Sequence, residues 1–261
     1  MSTIELSTLA DRPDLTGRLY ELPNVWPEFL GHDPVTNAFL HLVAADFPRH
    51  CVVATDGDRI VAHGRSIPFA LDAPGRGALP AGGVDRVTVW AYADHREGTT
   101  PDTVSALAIE VDPEYTGRGL SARLLGLMRQ AAADAGFAAL VAPVRPNRKH
   151  EHPHLTMAEY LAVRRDDGLP SDPWVRTHVR AGATIEAIAP ASMTVTGSLA
   201  DWRAWTGLPF DRAGEVVVPG ALVPVRCDPA HDVAVYVEPN VWMRHPLTRR
   251  GKSVARARGA R

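Results

Sequence analysis

VDPEYTGRGLSARLL, at positions 111–125, joins a β-rich stretch to an apolar helical stripe through a turn that carries Gly117 and Gly119. Asp112-Pro113 closes the strand, because proline has no N–H to give to a ladder. Glycines spaced by one residue let the backbone turn sharply and pass close to a ligand with no Cβ in the way. The helix that follows opens with N–H groups that lack intrahelical acceptors, and its dipole favours negative charge there. A pyrophosphate placed on this turn would be well held, and Arg118 would add a charge-assisted bond. A glycine-bearing strand-to-helix turn is equally compatible with a purely structural role. Other phosphate motifs do not fit: no Lys-Ser/Thr follows the glycines, as a P-loop needs, and there is no G-x-G-x-x-G for a dinucleotide.

Outward from the turn, 104–111 alternates as a strand, while Leu120, Leu124, Leu127, Met128, Ala131 and Ala135 form one helical face ending at Gly136. A buried strand follows over 137–144. Upstream, Asp33-Pro34 caps a helix predicted over 34–46, and Asp56-Gly57 turns a hairpin between strands at 51–56 and 59–67. The Gly- and Pro-rich 68–84 reads as a loop, 87–93 as a further strand, and Asp94 to Gly98 as a turn. Downstream, the pattern predicts a short helix over 157–165, a turn over 168–173, and strands at 183–188, 216–218 and 233–237. The basic residues from Arg249 onward read as a disordered, solvated tail.

The 261 residues are 45% hydrophobic and 22% charged, enough for a sizeable core. A formal net charge of −2 argues against a dedicated nucleic-acid binder. No signal peptide or run of about 18 apolar residues occurs, so a cytoplasmic protein without a membrane segment is expected. Cys51 and Cys227 stand far apart, suggesting neither a disulfide framework nor a zinc ribbon. His150-Glu151-His152-Pro153-His154 lacks the H-E-x-x-H spacing and is expected to be a loop, not a metal site. Trp202 and Trp205, at i and i+3, suggest core packing.

With the turn and its flanks set out, the chain resembles the GNAT superfamily of acyl-CoA N-acyltransferases, whose signature is V-x-P-x-x-[R/Q]-x-x-G-x-[G/A]. Val111, Pro113 and Gly119 match; Thr116 and Ser121 depart from it. The resemblance covers 34–147. A weaker likeness to GNAT domains found beside nitrilase-like enzymes continues through PNRKH (146–150), TMAEYL (156–161), Asp172-Pro173 and RAGA (180–183). It implies an α/β fold with a mixed sheet and an enlarged C-terminal part: one domain over 1–248, with a coenzyme-binding core at 34–147, an acceptor-side extension at 148–248 and a tail at 249–261. Acetyl-CoA is the implied acyl donor, with no metal. Its pantetheine would bond the backbone at Ile109 and Val111 where the fourth and fifth strands splay. Its pyrophosphate would meet Gly117, Arg118, Gly119, Leu120, Ser121 and Ala122, with Asn147 as a further contact. A bulge on the fourth strand would offer an N–H to the acyl oxygen.

An alkyl amine is mostly protonated at neutral pH, so attack on a thioester needs a base or a water chain. Glu110 is the natural carboxylate, and simple alternation puts it on one side of the strand with Ala106 and Ala108. Asp94 and His95 follow the presumed third strand and are candidates for orienting the amine. The resemblance implies a tyrosine that protonates the leaving thiolate, with Tyr160 and Tyr236 as candidates. Glu238-Pro239-Asn240-Val241-Trp242 would wall an acceptor pocket. The reading is direct acetyl transfer to a small-molecule primary amine. Its rivals are a protein lysine or N-terminal acetyltransferase and a non-catalytic acyl-CoA-binding module; a homodimer stays open.

Overall fold

The structure, a computed structural model, describes residues 3–248; the basic tail expected to be disordered lies outside them. Nine strands form one sheet: β1 Ile4–Thr8, β2 Cys51–Asp56, β3 Arg59–Phe69, β4 Thr103–Val111, β5 Ala139–Val144, β6 Thr184–Gly197, β7 Gly214–Val216, β8 Val225–Asp228 and β9 Val233–Pro246. The order is β1-β2-β3-β4-β5-β9-β8-β7, with β6 also pairing β9. Every pairing is antiparallel except β4 with β5.

The helices are α1 Pro34–Phe39, α2 Val43–Asp46, α3 Gly83–Glu97, α4 Leu120–Asp134, α5 Met157–Ala162, α6 Pro173–Arg180 and α7 Leu199–Thr206. Asp33 caps α1 by accepting from the Thr36 N–H at 2.6 Å. The helix expected over 34–46 is thus present but broken at 40–42 into α1 and α2.

One face of the sheet packs against α4, whose Leu120, Leu124, Leu125 and Met128 are buried with Val52, Ala62 and Ala106. The other face packs against α3, α2 and the N-terminal 3-10 segment Pro13–Glu21, through Val87, Ala91, Val43, Leu15 and Leu19. A third cluster around Trp202, Tyr236 and Phe29 ties α7 to the C-terminal strands. Trp202 is fully buried, as its spacing suggested, and donates from Nε1 to the Ala234 carbonyl at 2.8 Å.

Some expectations fail here. Residues 87–93, expected as the third strand, and 94–97, expected as part of a turn, lie inside α3, and the strand expected at 216–218 is instead β7, Gly214–Val216. The order of sheet strands survives because Ile4–Thr8, not anticipated from the sequence, supplies the first strand, so β4 remains the fourth. Among the described residues no helix is long and apolar enough to cross a membrane.

Candidate active site

β4 and β5 touch at only two register positions, Val104 with Leu140 and Ser105 with Val141. Beyond these they part, and a cavity of about 610 Å³ occupies the gap. Ser121 and Leu125 of α4 and Trp174 and His178 of α6 line it on one face; Leu19, Tyr20, Thr36 and Leu40 line it on the other. The cavity therefore passes through the sheet.

At the α4 end the turn has the geometry that its glycines require. Gly117 and Gly119 sit at φ +75° and +73°, a left-handed backbone that disfavours side chains. A Cβ built at either would meet nothing within 4 Å, so this bend stands open. Gly119 is the N-cap of α4 and uses no side chain to satisfy the helix's first N–H groups. An open left-handed turn, unpaid amides and strands parting beside it fit the diphosphate and pantetheine of an acyl-CoA. Arg118 donates to the Glu114 carbonyl at 3.0 Å and lies 4.4 Å from the Tyr115 ring centre. Thr116, where the signature has Arg or Gln, bonds the Pro113 carbonyl at 2.8 Å.

Register between β3 and β4 slips after Arg65: Arg65 faces Ala108 and Ser66 faces Ala106, leaving Leu107 unpaired in a bulge. The extra residue flips the alternation. Ala108 keeps the side of Glu110, but Ala106 falls in the α4-side core, so the expected grouping of Glu110 with Ala106 is corrected.

On the opposite face Glu110 and Arg65 form a buried ion pair, with side chains 10% and 7% exposed. His63 stands directly across from Glu110 on β3. Farther along, Glu238 is fully buried and accepts from Arg145 Nε at 2.9 Å, Tyr236 Oη at 2.9 Å and Asn240 Nδ2 at 3.0 Å. Nearby, burial and the adjacent Asp33 push the Asp85 carboxyl up to about 8. Of these three carboxyl groups, Asp33, Asp85 and Glu238, only Glu238 lines the cavity; Asp33 is buried behind it, accepting from the Thr36 and Thr194 N–H groups.

Comparison with known proteins follows from this geometry. The model of the Acetyltransferase (GNAT) family matches residues 17–153, more than half of the chain. The chain belongs to the GNAT acetyltransferase family. Arginine N-acetyltransferase avaD of Aspergillus versicolor is 32% identical over 275 residues, covering 93% of this chain and 93% of that one. Among solved structures, the loading GNATL domain of CurA from Lyngbya majuscula superposes with a TM-score of 0.60 at 21% identity, over 94% of this chain and 98% of that one. The GphF GNAT-like decarboxylase in complex with isobutyryl-CoA gives 0.55 at 18% identity, over 94% and 100%. These two share the fold.

This GNAT protein is an acyl-CoA-dependent N-acetyltransferase, and its cavity brings together some of the residues singled out in sequence. Ile109, Glu110, Ser121 and Asn147 line it, as do Glu238 and Asn240 from the late strand. Gly117, Arg118, Gly119, Leu120 and Ala122 belong to the turn and first helical residues, and Val111 ends β4 just before that turn.

Other candidates stand elsewhere. Asp94 is held within α3 by Arg76, at 2.7 Å, and by the Ala70 N–H, at 2.8 Å; it lines no part of the main cavity. His95 packs edge-on against Phe47. Both assignments rested on a strand that is a helix. Tyr160 donates to Asp172 at 2.9 Å beneath the surface, and Tyr236 is fully buried on Glu238, so neither hydroxyl lines the cavity. Cys51 is buried, its thiol pushed up to about 12, and is no nucleophile. Among the described residues no group of three or more His, Cys, Asp or Glu is placed to hold a metal ion. His63, Arg65 and Arg145 were not anticipated. The one available signal for His63 and Arg65 was alternation along 59–67, where His63, Arg65 and Ile67 share a side.

Proposed function

We propose that this protein transfers the acetyl group of acetyl-CoA to a primary amine of a cationic small molecule, arginine or a close analogue, by direct attack. The observation that carries the reading is a cavity running from an open, left-handed glycine turn, between parting strands, to a wall that carries the carboxylates of Glu110 and Glu238. The arginine N-acetyltransferase similar over nearly the whole chain supports the choice of acceptor.

When bound, acetyl-CoA supplies an activated acyl carbonyl. Residues 117–122 would hold its diphosphate, and Ile109 and Val111 its pantetheine through the β4 edge that β5 leaves free. The bulge at Leu107 would present backbone N–H to the acyl oxygen. Glu238, with Asn240 beside it on the cavity wall, would meet the guanidinium or ammonium group of the acceptor at the far end. Walls from the N-terminal segments and from β6 and β9 enclose this end, which favours a small acceptor over a protein surface. Unpaired, buried Cys51 and Cys227 suit the reducing cytoplasm.

The test is thiol release from acetyl-CoA with L-arginine, agmatine, lysine and lysine-containing peptides. Release with arginine or agmatine above the hydrolysis background, with an N-acetyl product by mass, is expected. Turnover of peptides alone would move the assignment to protein acetylation. Tight CoA binding without transfer to any amine would reduce the protein to an acyl-CoA-binding module.

A further inference from the structure

His63 is 3% exposed yet lines the cavity on its acceptor face. Its Nδ1 is buried without a partner. In a neutral imidazole one ring nitrogen carries the hydrogen and the other the lone pair, and we take Nδ1 as the nitrogen with the lone pair. A buried acceptor without a donor is costly to maintain, and a cavity wall is where an incoming N–H would satisfy it. Glu110, directly across the β3–β4 ladder, supplies the negative charge that would stabilise an imidazolium. Arg65 holds that carboxylate in place.

We propose that His63 is the catalytic base of this acetyltransferase, its Nδ1 taking the proton from the acceptor nitrogen, with Glu110 and Arg65 as positioning residues. This rests on the acetyl-transfer reading of the cavity. The amine lone pair forms the C–N bond, and the adduct nitrogen, far more acidic than the free ammonium, passes a proton to Nδ1. The C–S bond then breaks with its electron pair on sulfur, which receives the proton from the imidazolium. Amine plus thioester becomes amide plus thiol, with no other reactant. Burial holds the ring's pKa at about 4, so it is neutral and able to accept at physiological pH. The charged groups acting on it are Glu110 from β4 and Arg65 from β3, while Tyr20 and His41 line the same cavity.

His63→Gln should lower kcat roughly 100-fold or more, with KM for L-arginine or agmatine and the CoA affinity within about threefold of wild type. Its rate should climb with pH across the neutral range as free amine accumulates, and added imidazole should partly restore His63→Ala. A kcat within about threefold of wild type and an unaltered pH profile would overturn the proposal while leaving acetyl transfer intact. If neither variant folds, 15N spectra of histidine-labelled wild-type protein decide: Nδ1 must bear the lone pair, and an Nδ1–H tautomer overturns the assignment. Wild-type protein that acetylates no amine sinks both this inference and the functional reading beneath it.

Discussion

Arg65 and Glu110 are both nearly buried, so removing one leaves the other's charge in a wall of low dielectric. Arg65→Met is expected to cost about 3 kcal/mol or more in chemical denaturation. The double variant Arg65→Met/Glu110→Leu should recover most of that loss, yet remain slow in transfer because no carboxylate faces His63. Equal stability of single and double variants would show that the pair is not coupled. Tyr160 makes the opposite case. Its hydroxyl is bonded to Asp172, which also caps α6 through the Trp174 and Val175 N–H groups. Tyr160→Phe should lose about 2 kcal/mol, a Tm lower by roughly 4 to 8 °C, with kcat unchanged; a collapse of kcat at normal CoA affinity would return Tyr160 to the chemistry. Sequence named Glu110 because attack of an amine on a thioester asks for a base, and Glu110 is the carboxylate on the strand beside the turn. It missed His63 because a histidine inside a hairpin strand looks the same whether it faces core or cavity until the ladder sets its neighbours.

At the scale of elements, the glycine turn is where pattern and structure agree most closely, since a left-handed backbone leaves few other residues a choice. Gly119→Val forces a β-branched residue to φ +73° at the first turn of α4. With about 1–2 kcal/mol of strain or more at that point, CoA affinity measured by calorimetry should fall roughly tenfold or more, with the circular dichroism spectrum kept. Unchanged affinity would mean that the turn does not hold the diphosphate. The segment 87–93 was misread because Val87, Thr88, Val89, Trp90 and Tyr92 favour strands by propensity. Tertiary packing overrode them: Val87 and Ala91, four apart, bury against the sheet, and Gly98 closes the helix at φ +69°. The strand expected at 233–237 continues to Pro246 as β9, and Pro239 within it sits where pairing with β6 jumps from Met193 to Ala189, a place that asks no regular ladder bond of a residue without an N–H.

Taken whole, the molecule buries an unusual set of titrating groups. Burial lowers His50, His63 and His245 to about 4 and His178 to about 3, so the unfolded chain binds more protons than the native one between roughly pH 4 and 6.5. Their contribution therefore rises with pH through that window. Asp85, raised to about 8, acts the other way: the native chain holds its proton from about pH 4 to 8, and stability drains away as it ionises. Four histidines outweigh one carboxyl below pH 6.5, and the carboxyl acts alone above it. Thermal melts should give a maximum Tm near pH 6.5; Asp85→Asn should flatten the alkaline limb and leave the acid limb in place.

Because β4 and β5 hold together at only two positions, the sheet is perforated, and the perforation has a doorway on each side. With the proposed placement of the diphosphate at the α4 turn, donor and acceptor need not queue for one entrance: the thioester would arrive past α4 and the amine past α1. Direct attack needs both inside together, so initial-rate lines at varied acetyl-CoA should intersect, not run parallel. Each product would also leave by its own door, and acetylated amine should compete with the amine while free CoA competes with the donor.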